Sequence, residues 1–126
     1  MLSDCRVAAA IPVQDLAAVR SFYEDTLGLK VTEERSDGLL FECGAGSQIL
    51  VFPSSGASDG SFTQASWECA DLDAELADLR SRGVTFESYD LPGFTSDENG
   101  IVDVQGARAA WFKDPAGNLL AVGETM

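Results

Sequence analysis

The chain contains no histidine, few basic residues and no long apolar segment. Of its 126 residues, 8 are Lys or Arg and 21 are Asp or Glu, which gives a formal net charge of -13. Such a protein repels phosphate backbones and anionic lipid surfaces, so we expect neither nucleic acid nor a membrane as a partner. No segment approaches the roughly 20 apolar residues of a membrane-spanning helix, and no basic start followed by a long apolar run is present. We therefore expect a cytoplasmic protein.

The lack of histidine also excludes nucleophile sites in which a Ser or Cys depends on an imidazole base. The three cysteines, Cys5, Cys43 and Cys69, are odd in number, far apart and outside any CxxC spacing. This pattern argues against a disulfide framework and against a thiolate zinc site, and it favours buried, inert thiols. An apolar content of 45% is enough for the core of one ordinary domain.

What the sequence does contain is an internal repeat. The segment DLAA at 15–18 returns as DLDA at 71–74. Each segment begins with an Asp placed as a helix N-cap, and Gly28 and Gly83 are placed to end the two helices. Strands are predicted before each helix and, in the first half, near 29–34, 38–43 and 47–53. The repeat predicts a single domain, 1–126, built from a first module at 5–53 and a second at 62–124.

One segment occurs in the second half only. The offset between the halves grows from 56 residues at the helices to 71 at the last hairpin, which carries Phe41 onto Phe112. We place the extra residues at 89–100, after a strand predicted at 84–88. A long insertion with two aromatic residues, Tyr89 and Phe94, is typical of a loop that closes over a ligand. The alternative is that both rings anchor the loop to the sheet or to a dimer partner.

Two segments carry a resemblance to a known family. The first is IPVQDL at 11–16, followed by FY at 22–23 and LGL at 27–29, and the second is WFKDPAGN at 111–118. Together with the repeat, they resemble the vicinal oxygen chelate superfamily, which includes glyoxalase I, extradiol dioxygenases, fosfomycin resistance enzymes and bleomycin resistance proteins. The resemblance implies an α+β fold in which two βαβββ modules form curved mixed sheets around a cleft, commonly completed in a homodimer.

The resemblance also implies where the metal-dependent members hold their ion. His, Gln or Glu side chains supply the ligands from the first and last strands of each module, and the matching positions here are Ala8, Leu50, Gln64 and Ala121. Three of these have no donor atom, and one glutamine is too weak a donor to hold an ion. We therefore expect no metal and no other cofactor. In this the chain is similar to the bleomycin resistance branch, whose members bind a ligand without chemistry.

The same positions predict the lining of the cleft, because residues two apart on a strand share one face. If the last hairpin follows the family, Trp111 lies opposite Ala121 and also faces the cleft. Small alanines beside an indole favour a planar or aromatic ligand, whereas the alternative is that Trp111 only fills space. The predicted ligand-binding residues are Ala8, Leu50, Phe52, Gln64, Ser66, Glu68, Tyr89, Trp111 and Ala121.

Three hypotheses about function follow. The first is a metal-independent, homodimeric protein that binds an organic ligand, aromatic or cationic, by sequestration as in antibiotic resistance. The second is an enzyme of the same fold, related to lyases, isomerases or dioxygenases, in which Glu68 is the general base and Gln64 orients the substrate. The third is an interaction module without a ligand, which is favoured if Trp111 and Leu50 fill the cleft.

Overall fold

Two four-stranded sheets, one from each half of the chain, form the fold. The computed structural model describes residues 1–124. In each sheet the first and last strands of the half run parallel, and the other neighbours run antiparallel. The first sheet has the order β1-β4-β3-β2 and the second has the order β5-β10-β9-β8. The strands are β1 (Ala9–Val13), β2 (Lys30–Arg35), β3 (Gly38–Glu42), β4 (Gln48–Pro53), β5 (Thr63–Glu68), β6 (Asp90–Leu91), β7 (Phe94–Thr95), β8 (Val102–Val104), β9 (Ala107–Lys113) and β10 (Leu119–Glu124).

The two helices begin at the residues that the repeat predicts. The carboxylates of Asp15 and Asp71 each accept a backbone N–H from the first helical turn, at 3.3 and 3.1 Å. Gly28 and Gly83 follow with φ of +71° and +93°, a backbone region that favours glycine. Within residues 1–124 no helix is long and apolar enough to cross a membrane. The helices are α1 (Leu16–Ser21), which continues as a π-helical turn (Phe22–Thr26), and α2 (Leu72–Ser81), with short 3-10 turns at Leu2–Asp4 and Gly44–Gly46.

The strand registers agree with the predicted offsets. Ala9 pairs with Ile49 in the first sheet, and Ala65 pairs with Leu120 in the second. These pairs are separated by the same 56 and 71 residues that the sequence repeat shows. A position in one half therefore has a defined counterpart in the other.

The strand predicted at 84–88 is wrong. Those residues contribute only an isolated bridge, from Phe86 to Phe112, and the second strand of this half is β8, after the insertion. Val102 in β8 pairs with Ala109, so both ends of the insertion lie along the same edge of β9. The insertion therefore interrupts the edge strand instead of following it. An edge strand can be split in this way because it has hydrogen-bonded neighbours on one side only.

A buried polar joint connects the two halves. The Tyr23 hydroxyl donates to a carboxylate oxygen of Asp114 at 2.6 Å, and the Asn118 side-chain amide donates to Asp114 and to the carbonyl of Pro12, both at 2.8 Å. Burial, together with the Asp114 charge, raises the pKa of Tyr23 far above its ordinary value, so it remains a neutral donor. Around this joint, apolar side chains of both halves form one core. The joint fixes how the two sheets lie relative to each other.

Candidate functional site

The largest described cavity is a cleft of about 990 Å³ between the two halves. The first half contributes the start of β1, the β3–β4 turn and the start of β4, and the second half contributes β5, the residues after it and Glu124. The first strands β1 and β5, which the repeat makes equivalent, lie beside each other here. The cleft is therefore built at the junction of the repeat, as the sequence predicts.

A second cavity, of about 480 Å³, lies on the face of the second sheet. Phe94 and Trp111 form its aromatic wall, and the small residues Ala107, Ala109 and Gly123 contribute to the rest of its lining. We call it the aromatic cavity. It meets the cleft along residues 66–68, which line both.

Three rings form a cluster beside this cavity. Tyr89 and Phe94 of the insertion lie 5.6 and 5.4 Å from Trp111, between ring centroids, and 5.4 Å from each other. The indole N–H of Trp111 donates to the Thr63 hydroxyl at 3.0 Å, which fixes the orientation of the ring. Burial, and next the charge of Glu87, raise the pKa of Tyr89, so it remains a neutral phenol. The insertion is thus anchored to the sheet through its two aromatic residues.

Four of the predicted site residues lie close together. Ser66 and Glu68 line both the cleft and the aromatic cavity, and Trp111 lines the aromatic cavity. Ala121 is buried and pairs with Trp111 on one side and with Ser66 on the other. The predicted register of Trp111 opposite Ala121 is confirmed.

The other predicted residues line neither cavity. Leu50 and Phe52 are half-buried on β4, and Ala8 is exposed just before β1. Tyr89 contributes through its contact with Trp111. Gln64 lies on β5, and its side-chain oxygen is buried without a hydrogen-bond partner. Such an acceptor costs free energy until a donor reaches it.

The charges around the cleft are negative. Among the described residues that line it, Glu68 and Glu124 are the charged ones. The aromatic cavity also includes Arg108, whose guanidinium is held by Asp73, at 3.0 Å, and by Glu124. A backbone N–H from Leu72 and the Arg108 guanidinium lower the pKa of Glu124. The one basic group is therefore neutralised by its neighbours, and the site disfavours anions.

The residues at the family's metal positions do not fit a metal centre. Of the four positions named above, only Gln64 carries a donor atom, and it occupies one of three or four ligand places that an ion needs. Residues 1–124 contain no group of three or more His, Cys, Asp or Glu side chains able to hold an ion.

Sequence reasoning missed the cysteines and the turn on the first-half side of the cleft. Cys43 and Cys69 both line it and are half-buried, and burial raises the pKa of both thiols. The expectation of buried thiols is wrong for Cys5, which is exposed. Ala45 in the β3–β4 turn has a φ of +56°. Its counterpart by the repeat, Ala116, lies in the last hairpin turn, which was a signal that both turns matter.

Comparison with known proteins follows from this geometry. The sequence model of the Glyoxalase/Bleomycin resistance protein/Dioxygenase superfamily matches residues 6–122. The chain belongs to this superfamily. No curated protein sequence matches it significantly. The family assignment covers nearly the whole chain, and the two mixed four-stranded sheets described above are the fold of the superfamily.

Solved structures with this superfamily fold resemble the protein over most of its length. A bleomycin resistance determinant encoded on the transposon Tn5 has a TM-score of 0.71 at 20% identity, covering 95% of this chain and 97% of its own. TnmS3, an antibiotic binding protein from Streptomyces sp. CB03234, has a TM-score of 0.65 at 21% identity, covering 96% and 97%. A glyoxalase family protein from Enterococcus faecalis has a TM-score of 0.70 at 21% identity, covering 98% and 100%. At these identities the likeness shows the fold.

Proposed function

We propose that the protein is a metal-independent small-molecule-binding protein that holds an organic ligand, neutral or cationic, in the cleft between its two halves. The observation that carries the proposal is the cleft of about 990 Å³ at the junction of the repeat, lined by carboxylates and small residues. Its volume lies at the upper end of the range for small-molecule sites, about 300–1,000 Å³. The ligand is aromatic or cationic because an indole lies beside the cleft and its charged residues are acidic.

Polar groups that fix orientation are present on one strand. Ser66 and Glu68 reach the cleft with a hydroxyl and a carboxylate. Gln64, two residues earlier on the same face of β5, adds the unpartnered oxygen described above. A few such groups in an otherwise small-residue lining are typical of sites that bind by shape and hydrogen bonding.

Sequestration is the proposed use of this binding. Two of the neighbours described above are an antibiotic binding protein and a bleomycin resistance determinant. Their fold is shared with this chain, and their ligand class suggests an antibiotic-like organic compound here. The absence of fitting metal donors at the four family positions supports binding without metal chemistry.

The proposal includes the state of the protein. We infer a single domain, 1–126, with modules at 5–53 and 62–124, in a cytoplasmic homodimer. The joint of Tyr23 and Asp114 supports one domain, because it buries polar groups of both halves together. Light scattering after size-exclusion chromatography tests the dimer, and a monomer at micromolar concentration would contradict it.

A binding screen tests the function. Thermal shift and calorimetry with a library of cationic, neutral and anionic aromatic compounds should yield saturable ligands among the first two classes only. Ala70→Trp, which places a bulky side chain in the cleft lining, should abolish binding. Glu33→Trp on the exposed β2 strand is the matched control and should bind normally. Ligands that bind equally to the wild type and to Ala70→Trp would refute a site in the cleft.

Glu68 separates binding from catalysis. In the proposed function, Glu68→Gln lowers the affinity for cationic ligands and no turnover is found with any of them. If the substitution abolished turnover of a ligand while leaving its affinity unchanged, the binding proposal would be wrong and the enzyme hypothesis correct.

A further inference from the structure

The insertion is a preformed hairpin, not an open loop. Its two short strands, β6 and β7, pair through Asp90 with Thr95 and Leu91 with Phe94. The Ser96 hydroxyl accepts the backbone N–H of Tyr89 at 2.8 Å, which closes the base of the hairpin. Such internal bonding means that the hairpin positions its side chains before any ligand arrives.

Phe94 is the side chain that this hairpin brings to the aromatic cavity. It lines the cavity together with Trp111, with 5.4 Å between ring centroids and an interplanar angle of 51°. Trp111 cannot turn freely because Thr63 accepts its N–H. The cavity therefore has one wall of fixed aromatic rings and small residues elsewhere.

We propose that the aromatic cavity is a second subsite, which binds a flat aromatic group through Phe94 and Trp111. This inference rests on the proposed function and deepens it, because the cavity joins the cleft along Ser66 and Glu68. The ligand is then an elongated compound of two parts. A flat ring system lies in the aromatic cavity, and a neutral or cationic polar part extends past Glu68 into the cleft.

A flat ring is the group that suits this cavity. Aromatic rings gain additional free energy when they stack or meet edge to face, beyond what burial alone supplies. An aliphatic group of similar size gains only the burial term. Phe94 is in this sense a specificity-determining residue, and it is present only because the edge strand of the second sheet is interrupted.

Acridine orange, a flat three-ring cation, is the probe, and amantadine, a compact cation without a flat ring, is its counterpart. Titrations followed by calorimetry should show saturable binding of the dye, with its Kd raised about tenfold by Phe94→Ala. Phe94→Leu, which keeps an apolar side chain to hold the hairpin, should weaken the dye to a similar degree. Leu91→Ala is the matched control, because Leu91 pairs with Phe94 and lines neither cavity. It should leave the dye Kd unchanged.

The outcomes separate the subsite from the cleft. Dye binding that is equal in the wild type, Phe94→Ala and Phe94→Leu overturns the subsite. If in addition Ala70→Trp abolishes binding of either cation, the proposed function stands alone. If the dye depends on Phe94 while Ala70→Trp has no effect on dye or amantadine, the subsite stands and the cleft proposal fails. If neither compound binds the wild type saturably, both are overturned.

Discussion

The two sheets share one register and present different surfaces. In the first sheet Leu40 pairs with Leu50, and at the equivalent place in the second sheet Trp111 pairs with Ala121. The edge strand β2 pairs with β3 along its length, whereas its counterpart is split by a hairpin that places Phe94 on Trp111. The central strands keep the register because both of their edges are paired, while an edge strand tolerates insertion. Specialisation for a ligand is therefore concentrated in the second half.

The last hairpin of each half differs in the same direction. Asp114 follows β9 and holds Tyr23 and Asn118, whereas its counterpart after β3 is Cys43, at the cleft. One hairpin stabilises the joint and the other lines the cleft. The second half thus supplies both the joint and the aromatic wall, and the first half supplies the opposite side of the cleft.

The largest effect is expected at the joint. Asp114→Ala removes the acceptor of the buried Tyr23 hydroxyl and of the Asn118 amide, so the free energy of unfolding should fall by about 3 kcal/mol. Urea unfolding followed by tryptophan fluorescence measures this change. The control is Asp103→Ala, in the exposed β8–β9 turn, where only one backbone N–H is accepted, and a loss below about 1 kcal/mol is expected. Equal losses would show that the joint does not hold the halves together.

The next largest effect concerns the unequal sheet faces. Trp111→Leu gives the second sheet the residue type that Leu40 supplies to the first, and it should raise the Kd of acridine orange about tenfold. Leu40→Ala should lower stability, because Leu40 is buried, and leave the dye Kd unchanged. Calorimetric titration measures both variants. A larger change in Kd for Leu40→Ala than for Trp111→Leu would reverse the comparison.

A smaller and symmetric effect is expected at the helix starts. Asp15→Ala and Asp71→Ala each remove an N-cap, and each should cost about 1 kcal/mol of unfolding free energy. Asp15→Asn and Asp71→Asn keep a side-chain oxygen and should be close to the wild type. Chemical denaturation of the four variants compares the halves directly. A loss confined to one half would mean that the other helix does not rely on its cap.

The smallest effect is expected from Glu124, whose pKa is lowered by the Leu72 N–H and by Arg108 from its ordinary value of 4.5. A lowered folded-state pKa contributes stability above the unfolded pKa, and that contribution is lost as the pH falls through the folded value. Glu124→Gln should therefore flatten the decline of the melting temperature below about pH 4.5. Glu33→Gln on the exposed β2 strand is the control. Parallel melting curves for Glu124→Gln and the wild type would contradict the prediction.

Local signals in the sequence were sufficient for much of the fold. The caps at Asp15 and Asp71, the registers of the central strands and the pairing of Trp111 with Ala121 were all predicted correctly, because each depends on neighbours along the chain or on the repeat. The strand at 84–88 was not, since a split edge strand is too short on each side to show its pattern. The same cause hid the place of Phe94 in the aromatic cavity.

The sequence by itself determined the duplication, the family and the lack of metal donors at Ala8, Leu50 and Ala121, because residue identity alone settles whether a side chain has a ligand atom. Only the tertiary structure decided that Tyr89 and Phe94 pack on Trp111 and that Ser66 and Glu68 connect two cavities. Those relations join residues that are distant along the chain, and they depend on how two sheets and an insertion pack. Packing of that kind follows from the shape of all the contacting surfaces together.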